Sequence, residues 1–429
     1  MTALKAVAAA IAMCAVLSAC ATQPRAGTRD KLVDEISRML DQRNRALERG
    51  DGAAFVVDLD TTNVHLVEHE QMVFDNLRQL RFATLSYQLG SSGGVKLDAA
   101  DAANTYHRPA TLFLVRLRMK IADVDTAPGE ARFVYLLAPV DGRLRIVGID
   151  AVGTTSRYFL SGSQHDLPWE LTPLKVVSQG DVILAGDGTV QNLEGLARSA
   201  ADASVEVRRL WGDRPAPKAS LLFLTRNEDT FARWFGPAGN LRQADGLTFA
   251  VQGASSLSLN RPAFVGARST INLASSLASS NTSLLMRHEL AHALTVLVQF
   301  PVLAATRPAG PQRWVVEGFA RWVEVLDSGA EQQRQLDIVR SAARSGTFTS
   351  RLPPSEMFYS ESTVALNYAV AWSVFSLLQE RLGVDKTVGV YGDTLRLGSG
   401  TNSDFDRALT RAGMDPPAFM TQWLAYVRG

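Results

Sequence analysis

The sequence predicts an α+β chain in two parts. The first is an N-terminal domain of helices followed by an antiparallel sheet, and the second is a domain whose strands give way to a helical C-terminal half. Two observations carry this. Apolar residues recur at helical spacing over 32–47 and 66–80 and in strand-like runs between 82 and 149, and beyond residue 282 the chain reads as a series of helices. A length of 429 residues at 46% apolar content supplies cores for both parts, and a charged fraction of only 20% excludes a disordered chain.

The elements follow in order. Residues 1–19 hold one charge, Lys5, and an apolar run from Ala6 to Leu17, the make-up of a signal peptide and too short to span a bilayer. Leu17-Ser18-Ala19-Cys20 resembles the lipobox of bacterial lipoproteins. That resemblance implies cleavage before Cys20, lipidation of its sulfur, and a mature chain anchored in the bacterial cell envelope on the extracytoplasmic side of a membrane. Residues 20–28, small and polar with Pro24 and Gly27, read as a tether.

The first domain spans 29–160. Leu32, Ile36, Leu40 and Leu47 mark a helix over Arg29–Arg49 that stops at Gly50, and a second helix covers Val64–Leu80. Strands are predicted over 82–89, 110–122, 132–138 and 144–149, with Asp141-Gly142 as a hairpin turn between the last two. This element order resembles the cone-shaped ketosteroid-isomerase-like or cystatin-like fold. A Ser/Gly/Pro-rich stretch around 161–173 reads as a linker. The second domain, 165–429, starts with short strands at 182–184, 220–224, 247–251 and 270–273 and a helix over 191–211. Helices follow over 282–299, 314–326, 331–345, 362–382, 404–411 and 417–427.

The chemistry concentrates in the first of those late helices. His288-Glu289-Leu290-Ala291-His292 is H-E-x-x-H, with Asn281 as N-cap and Pro301 beyond its end. At 3.6 residues per turn His288 and His292 lie one above the other and can share a Zn²⁺ ion, while Glu289 points about a hundred degrees away. Zinc with two histidines needs a third protein ligand and an open position for water. Glu317 is the candidate third ligand: it sits among Val315, Val316, Phe319 and Trp322, where an unpaired carboxylate is costly. Gly318 and Ala320 would let its helix approach the histidine helix closely.

His-Glu-Leu-Ala-His followed by Trp314-Val-Val-Glu-Gly-Phe-Ala320 resembles the gluzincin metallopeptidases, in particular the peptidase MA-like group. The run Tyr368-Ala-Val-Ala-Trp372 is similar to that group's next helix. The resemblance implies a zincin-like second domain with zinc held by His288, His292 and Glu317. It further implies a membrane-tethered peptidase acting on peptide or protein substrates through a zinc-bound water, with Glu289 as general base. Gluzincins often supply a hydroxyl to the oxyanion, for which Tyr368 is the candidate and Tyr359 its competitor. Thr270–Leu273 is predicted as the sheet edge to which an extended substrate adds. One departure stands out. Many gluzincins carry an acid four residues after the glutamate ligand, where it orients a histidine, and this chain has Arg321 there. A guanidinium cannot accept an imidazole N–H, so the site is predicted to be weakened unless Glu324 or a backbone carbonyl takes that role.

Other classes are set against this one. Lys plus Arg number 44 against 43 Asp plus Glu, a balance that argues against nucleic-acid binding. The only cysteines are Cys14 and Cys20, so no disulfide or thiolate metal site exists in the body of the chain. A non-catalytic envelope binding or assembly lipoprotein that keeps a zincin fold is the alternative, favoured by Arg321, and a ligand pocket in the N-terminal domain is a third reading. His65-Leu-Val-Glu68-His69 spells the inverted zincin pattern, but its histidines flank the apolar stripe of their helix and are predicted to lie on a solvated charged face. His107 and His165 carry no partner pattern. Oligomeric state is not encoded in any pattern of the sequence.

Overall fold

The computed structural model describes residues 26–90, 95–96, 110–151, 167–234, 244–254, 264–298 and 311–429. The signal segment, Cys20, His107, His165 and Pro301 lie outside the described residues.

Helices α1 (Ala26–Arg49), α2 (Gly52–Val56) and α3 (Val64–Gln79) come first. The helix α1 begins at Ala26, so the last residues of the expected tether are helical. It ends where Gly50 takes φ 69°, the left-handed conformation that favours glycine. Asn63 caps α3 by accepting the Leu66 N–H at 3.2 Å. Strands β1 (Phe82–Leu89), β2 (Val95–Lys96), β3 (Thr111–Ile121), β4 (Gly129–Val140) and β5 (Arg143–Ala151) form an antiparallel sheet in the order β1-β3-β4-β5, with β2 on β3. Asp141 (φ 49°) and Gly142 (φ 76°) make the predicted tight turn between β4 and β5; left-handed angles at both central residues match the right-handed twist of the strands. Alternate residues of β3, from Phe113 through Val115, Leu117 and Met119 to Ile121, face the helices.

The second sheet is built from β6 (Leu174–Gln179), β7 (Val182–Asp187), β8 (Ser220–Thr225), β9 (Gly246–Gln252) and β10 (Phe264–Asn272), in the order β6-β7-β8-β10-β9. The inner strands β7, β8 and β10 are parallel, and β6 and β9 are antiparallel edges. The expected edge at Thr270–Leu273 is therefore corrected: its residues up to Asn272 belong to β10, which is flanked on both sides, and the edge is β9. Short helices α4 (Pro168–Leu171) and α6 (Glu228–Arg233) and the long α5 (Leu193–Trp211) interleave with these strands.

One face of this sheet, with Val182, Leu184, Leu222, Leu224 and Ile271, shares a core with α5 and the C-terminal helices. The opposite face, with Leu174, Ile183, Ala185, Leu221 and Phe223, shares a core with α1, α3 and the first sheet. The expected linker is corrected on its described side. Trp169 is buried, and Asn76 of α3 bonds Trp169 O at 2.9 Å, Thr172 O at 2.8 Å and the Leu174 N–H at 2.8 Å. An amide side chain thereby covers backbone groups next to the β6 edge that would otherwise stay open.

The C-terminal half is helical: α7 (Ser276–Thr295), α8 (Arg313–Val325), α9 (Gly329–Ser345), α10 (Val364–Leu382), α11 (Val384–Leu397), α12 (Asn402–Arg411) and α13 (Pro416–Arg428). Asn281 breaks α7 with φ −158° and caps its second segment by accepting the Leu284 N–H at 3.3 Å. No described helix is long and apolar enough to cross a membrane.

Candidate metal centre

The second segment of α7 presents His288 and His292 one turn apart, and α8 brings Glu317 across from them. Glycine at 318 serves a different approach from the one to the histidine helix that the sequence suggested. A Cβ there would stand 2.7 Å from Ala371 O, so the close contact is between α8 and α10, the helix that bears Tyr368.

The three side chains converge. His288 Nε2 and His292 Nε2 are 3.1 Å apart, and Glu317 Oε2 lies 3.3 Å from the first and 3.5 Å from the second. An ion held tetrahedrally at about 2.0 to 2.1 Å from each donor would separate donor pairs by about 3.3 to 3.4 Å. The three residues fit three corners of such a site, and the two-imidazole, one-carboxylate set is the one expected of zinc with an open corner.

Around this triangle several polar groups have fixed partners. Tyr368 donates to Glu317 Oε2 at 3.1 Å, and Tyr359 donates to Oε1 at 2.6 Å, so both tyrosines weighed from the sequence reach the same carboxylate. Glu289 is buried and stands outside the triangle. Its Oε2 accepts the Thr248 hydroxyl of the edge strand β9 at 2.6 Å, and a Cβ on Gly246 would collide with its other oxygen. Burial raises the Glu289 pKa against the pull of the two imidazoles. Burial alone would lower His288, but the Glu317 and Glu324 carboxylates outweigh it and push it up to about 10. The imidazoles in turn hold Glu317 well below the usual carboxylate range, although burial opposes them.

The exception allowed for Arg321 is the one that holds, with Glu324 in the acceptor role. His288 Nδ1 has an acceptor, Glu324 Oε2, at 3.0 Å. Arg321 is buried and bonds the other oxygen of that carboxylate, with Glu331 3.8 Å from its Nη2. The orienting acid thus comes from seven residues beyond Glu317 instead of four, and the arginine neutralises it. Thr248 and Gly246 carry no signal in the sequence, because their role depends on β9 being the neighbour of α7.

The inverted pattern at 65–69 does not converge on a site. His65 is exposed, with its ring 3.8 Å from Glu68. His69 turns to Glu70 at 3.2 Å and to Glu170 O at 2.7 Å. The solvated face predicted for this segment is corrected at Glu70, which is buried on Arg43. The three groups His69, Glu70 and Glu170 lie close enough to share a cation, but Glu70 is already neutralised by that guanidinium. Arg43 stands inside the first domain, 3.7 Å over the Phe55 ring with Tyr87 and Tyr135 beyond it.

No family model matches the chain, and no curated protein matches it. Among solved structures, the crystal structure of an M1 zinc metallopeptidase from Deinococcus radiodurans aligns at 12% identity with a TM-score of 0.36, over 75% of this chain and 90% of that one. A likeness at that level is distant and places the chain in no family.

Proposed function

We propose that this protein is a zinc metallopeptidase, tethered to a bacterial envelope membrane through a lipidated Cys20. The observation that carries the catalytic part is the donor triangle of His288, His292 and Glu317, with its near-tetrahedral spacing of 3.1 to 3.5 Å. When bound there, zinc supplies a Lewis acid that polarises a carbonyl and brings water's pKa toward neutrality.

The remaining work belongs to the chain. Glu289, held by Thr248 and raised by burial, accepts a proton from the attacking water and delivers it to the leaving amine. Tyr368, whose single O–H rests on Glu317 Oε2, would turn that proton to the oxygen on which charge develops. Glu324 fixes the His288 ring by accepting its Nδ1–H. An extended substrate would pair with β9, the edge that carries Thr248.

The test is zinc content of the form beginning at Ala21, followed by cleavage of a peptide library with and without chelator. About one zinc per chain and chelator-sensitive cleavage are expected; zinc without cleavage of any peptide overturns the peptidase reading. Membrane anchoring is tested apart from this by Cys20→Ser, which should release the protein from membranes or leave an uncleaved precursor. Normal partition and processing of that variant would remove the lipid anchor.

A further inference from the structure

The connection between β3 and β4 reaches from the first sheet into the second. Within it, Asp125 receives Arg268 Nη1 at 2.8 Å and Nη2 at 2.7 Å, and both side chains are buried. Asp125 also accepts the Ile121 N–H at 2.8 Å. A Cβ on Gly266 would collide with its carboxylate, so glycine two residues before Arg268 admits the acid. Backbone bonds fasten the rest of the connection: Thr126 N–H to Val265 O at 2.7 Å, Ala254 N–H to Pro128 O at 2.8 Å, and Ala219 N–H to Asp123 O at 2.9 Å. Gly129 bridges to Gly253 just past β9. The first sheet therefore grips the ends of β9 and β10.

Successive side chains of a strand point to opposite faces. Arg268 turns toward Asp125. Ser269, the next residue, turns the other way, and its Oγ lies 2.7 Å from Thr248 Oγ1, its cross-strand partner on β9. Thr248 donates its single hydroxyl proton to Glu289 Oε2, so Ser269 is the donor to Thr248. Two consecutive residues of β10 thus hold the N-terminal sheet on one face and the partner of Glu289 on the other.

We propose that Asp125 and Ser269 are positioning residues for Glu289, so that the N-terminal domain is a working part of the catalytic unit. Asp125 fixes β10 through Arg268, and Ser269 fixes the Thr248 hydroxyl that aims the carboxylate. The ion pair acts only through the strand, since Asp125 touches neither Glu289 nor the metal ligands. The proposal rests on the peptidase reading for its kinetic consequence, but its structural content does not.

The experiment compares Asp125→Asn, Ser269→Ala and the double variant with wild type in the full chain. Zinc affinity should stay within about twofold of wild type, because no metal ligand or orienting group is touched. In each single variant kcat should fall roughly tenfold with KM little changed, as expected for a misaimed base. The double variant should be no worse than the weaker single, because both act through the same hydroxyl. Amide exchange over residues 246–252 should quicken about tenfold in Asp125→Asn while 285–292 keeps its protection. Wild-type kcat in Ser269→Ala, which leaves the ion pair intact, would overturn the proposal even if Asp125→Asn does not fold. So would multiplicative losses in the double variant. If wild type cleaves no peptide the peptidase reading fails by itself, and exchange over 246–252 still decides: unchanged protection in Asp125→Asn overturns the positioning role.

Discussion

Glu324 Oε2 stands 3.0 Å from His288 Nδ1, and Arg321, one turn closer to Glu317, holds the other oxygen of the same carboxylate. The acid is therefore present but displaced along α8. Its pKa is lowered: burial opposes ionisation, and the hydrogen bond to His288 and the charge of Arg321 outweigh burial. The arrangement makes a carboxylate affordable in a buried position, because charge and hydrogen bonds are both satisfied.

From this geometry, Glu324→Gln should weaken zinc binding by about ten- to a hundred-fold. Arg321→Asp should also weaken it, since it sets a second anion beside Glu324 and removes the guanidinium that holds it. Competition with a chromophoric chelator measures both. Tighter zinc binding in Arg321→Asp would mean that His288 lacks a competent acceptor, contrary to the 3.0 Å contact.

Gly246 is predicted to be irreplaceable for turnover and dispensable for metal. An added Cβ would lie 2.9 Å from Glu289 Cγ and 2.8 Å from Cδ, so alanine there must push the carboxylate aside. Gly246→Ala should lower kcat about a hundred-fold, approaching the loss in Glu289→Gln, with zinc stoichiometry near one per chain in both. Retained hydrolysis in Glu289→Gln would take that residue out of the mechanism.

The two tyrosines separate by the oxygen that each contacts. Tyr368 bonds the Glu317 oxygen that faces both imidazoles, and Tyr359 bonds the outer one. Tyr368→Phe should therefore cost about a hundred-fold in kcat with little change in KM, and Tyr359→Phe should act mainly on zinc affinity. The reverse pattern in steady-state kinetics and metal titration would exchange their roles.

What could be read from the sequence was what short-range geometry decides. His288, Glu289 and His292 share one helix whose cap, Asn281, is also local, and Asp141-Gly142 states its turn by residue type alone. Glu317 was legible because a lone acid among large apolar neighbours needs a partner. The edge strand was not legible: whether β9 or β10 lies outermost depends on strand order, and both are short apolar runs. Glu324 was open for a similar reason, since the reach to His288 is set by how α8 crosses α7. Helix α11 was missed altogether. Its β-branched run and two glycines disfavour helix locally, and tertiary packing overrides this: Tyr391 stacks on Phe319 at 3.7 Å, and Gly392 leaves room for Arg214 and Trp211.

A last prediction concerns pH and the N-terminal domain, away from the metal centre. The hydrogen bond that His69 donates to the Glu70 carboxylate raises its pKa to about 9, against partial burial, with further help from the Glu70 charge and the Glu170 carbonyl. Glu70 is itself lowered: burial opposes ionisation, and Arg43 and His69 outweigh it. A histidine whose folded pKa exceeds its unfolded value of about 6.5 binds a proton more tightly in the native state. Its contribution is fully present below that value and is lost as pH rises through 9. Stability of the wild-type chain should therefore decline between pH 6.5 and 9, and His69→Gln should make that stretch shallower, leaving the share due to His288, itself pushed up to about 10, and the acid limb set by Glu70 and Arg43 in place. The effect is small because the His69 side chain stays 41% exposed, so solvent screens it. Thermal melts at half-unit steps of pH test this, and an undiminished decline in the variant would remove His69 from the pH dependence.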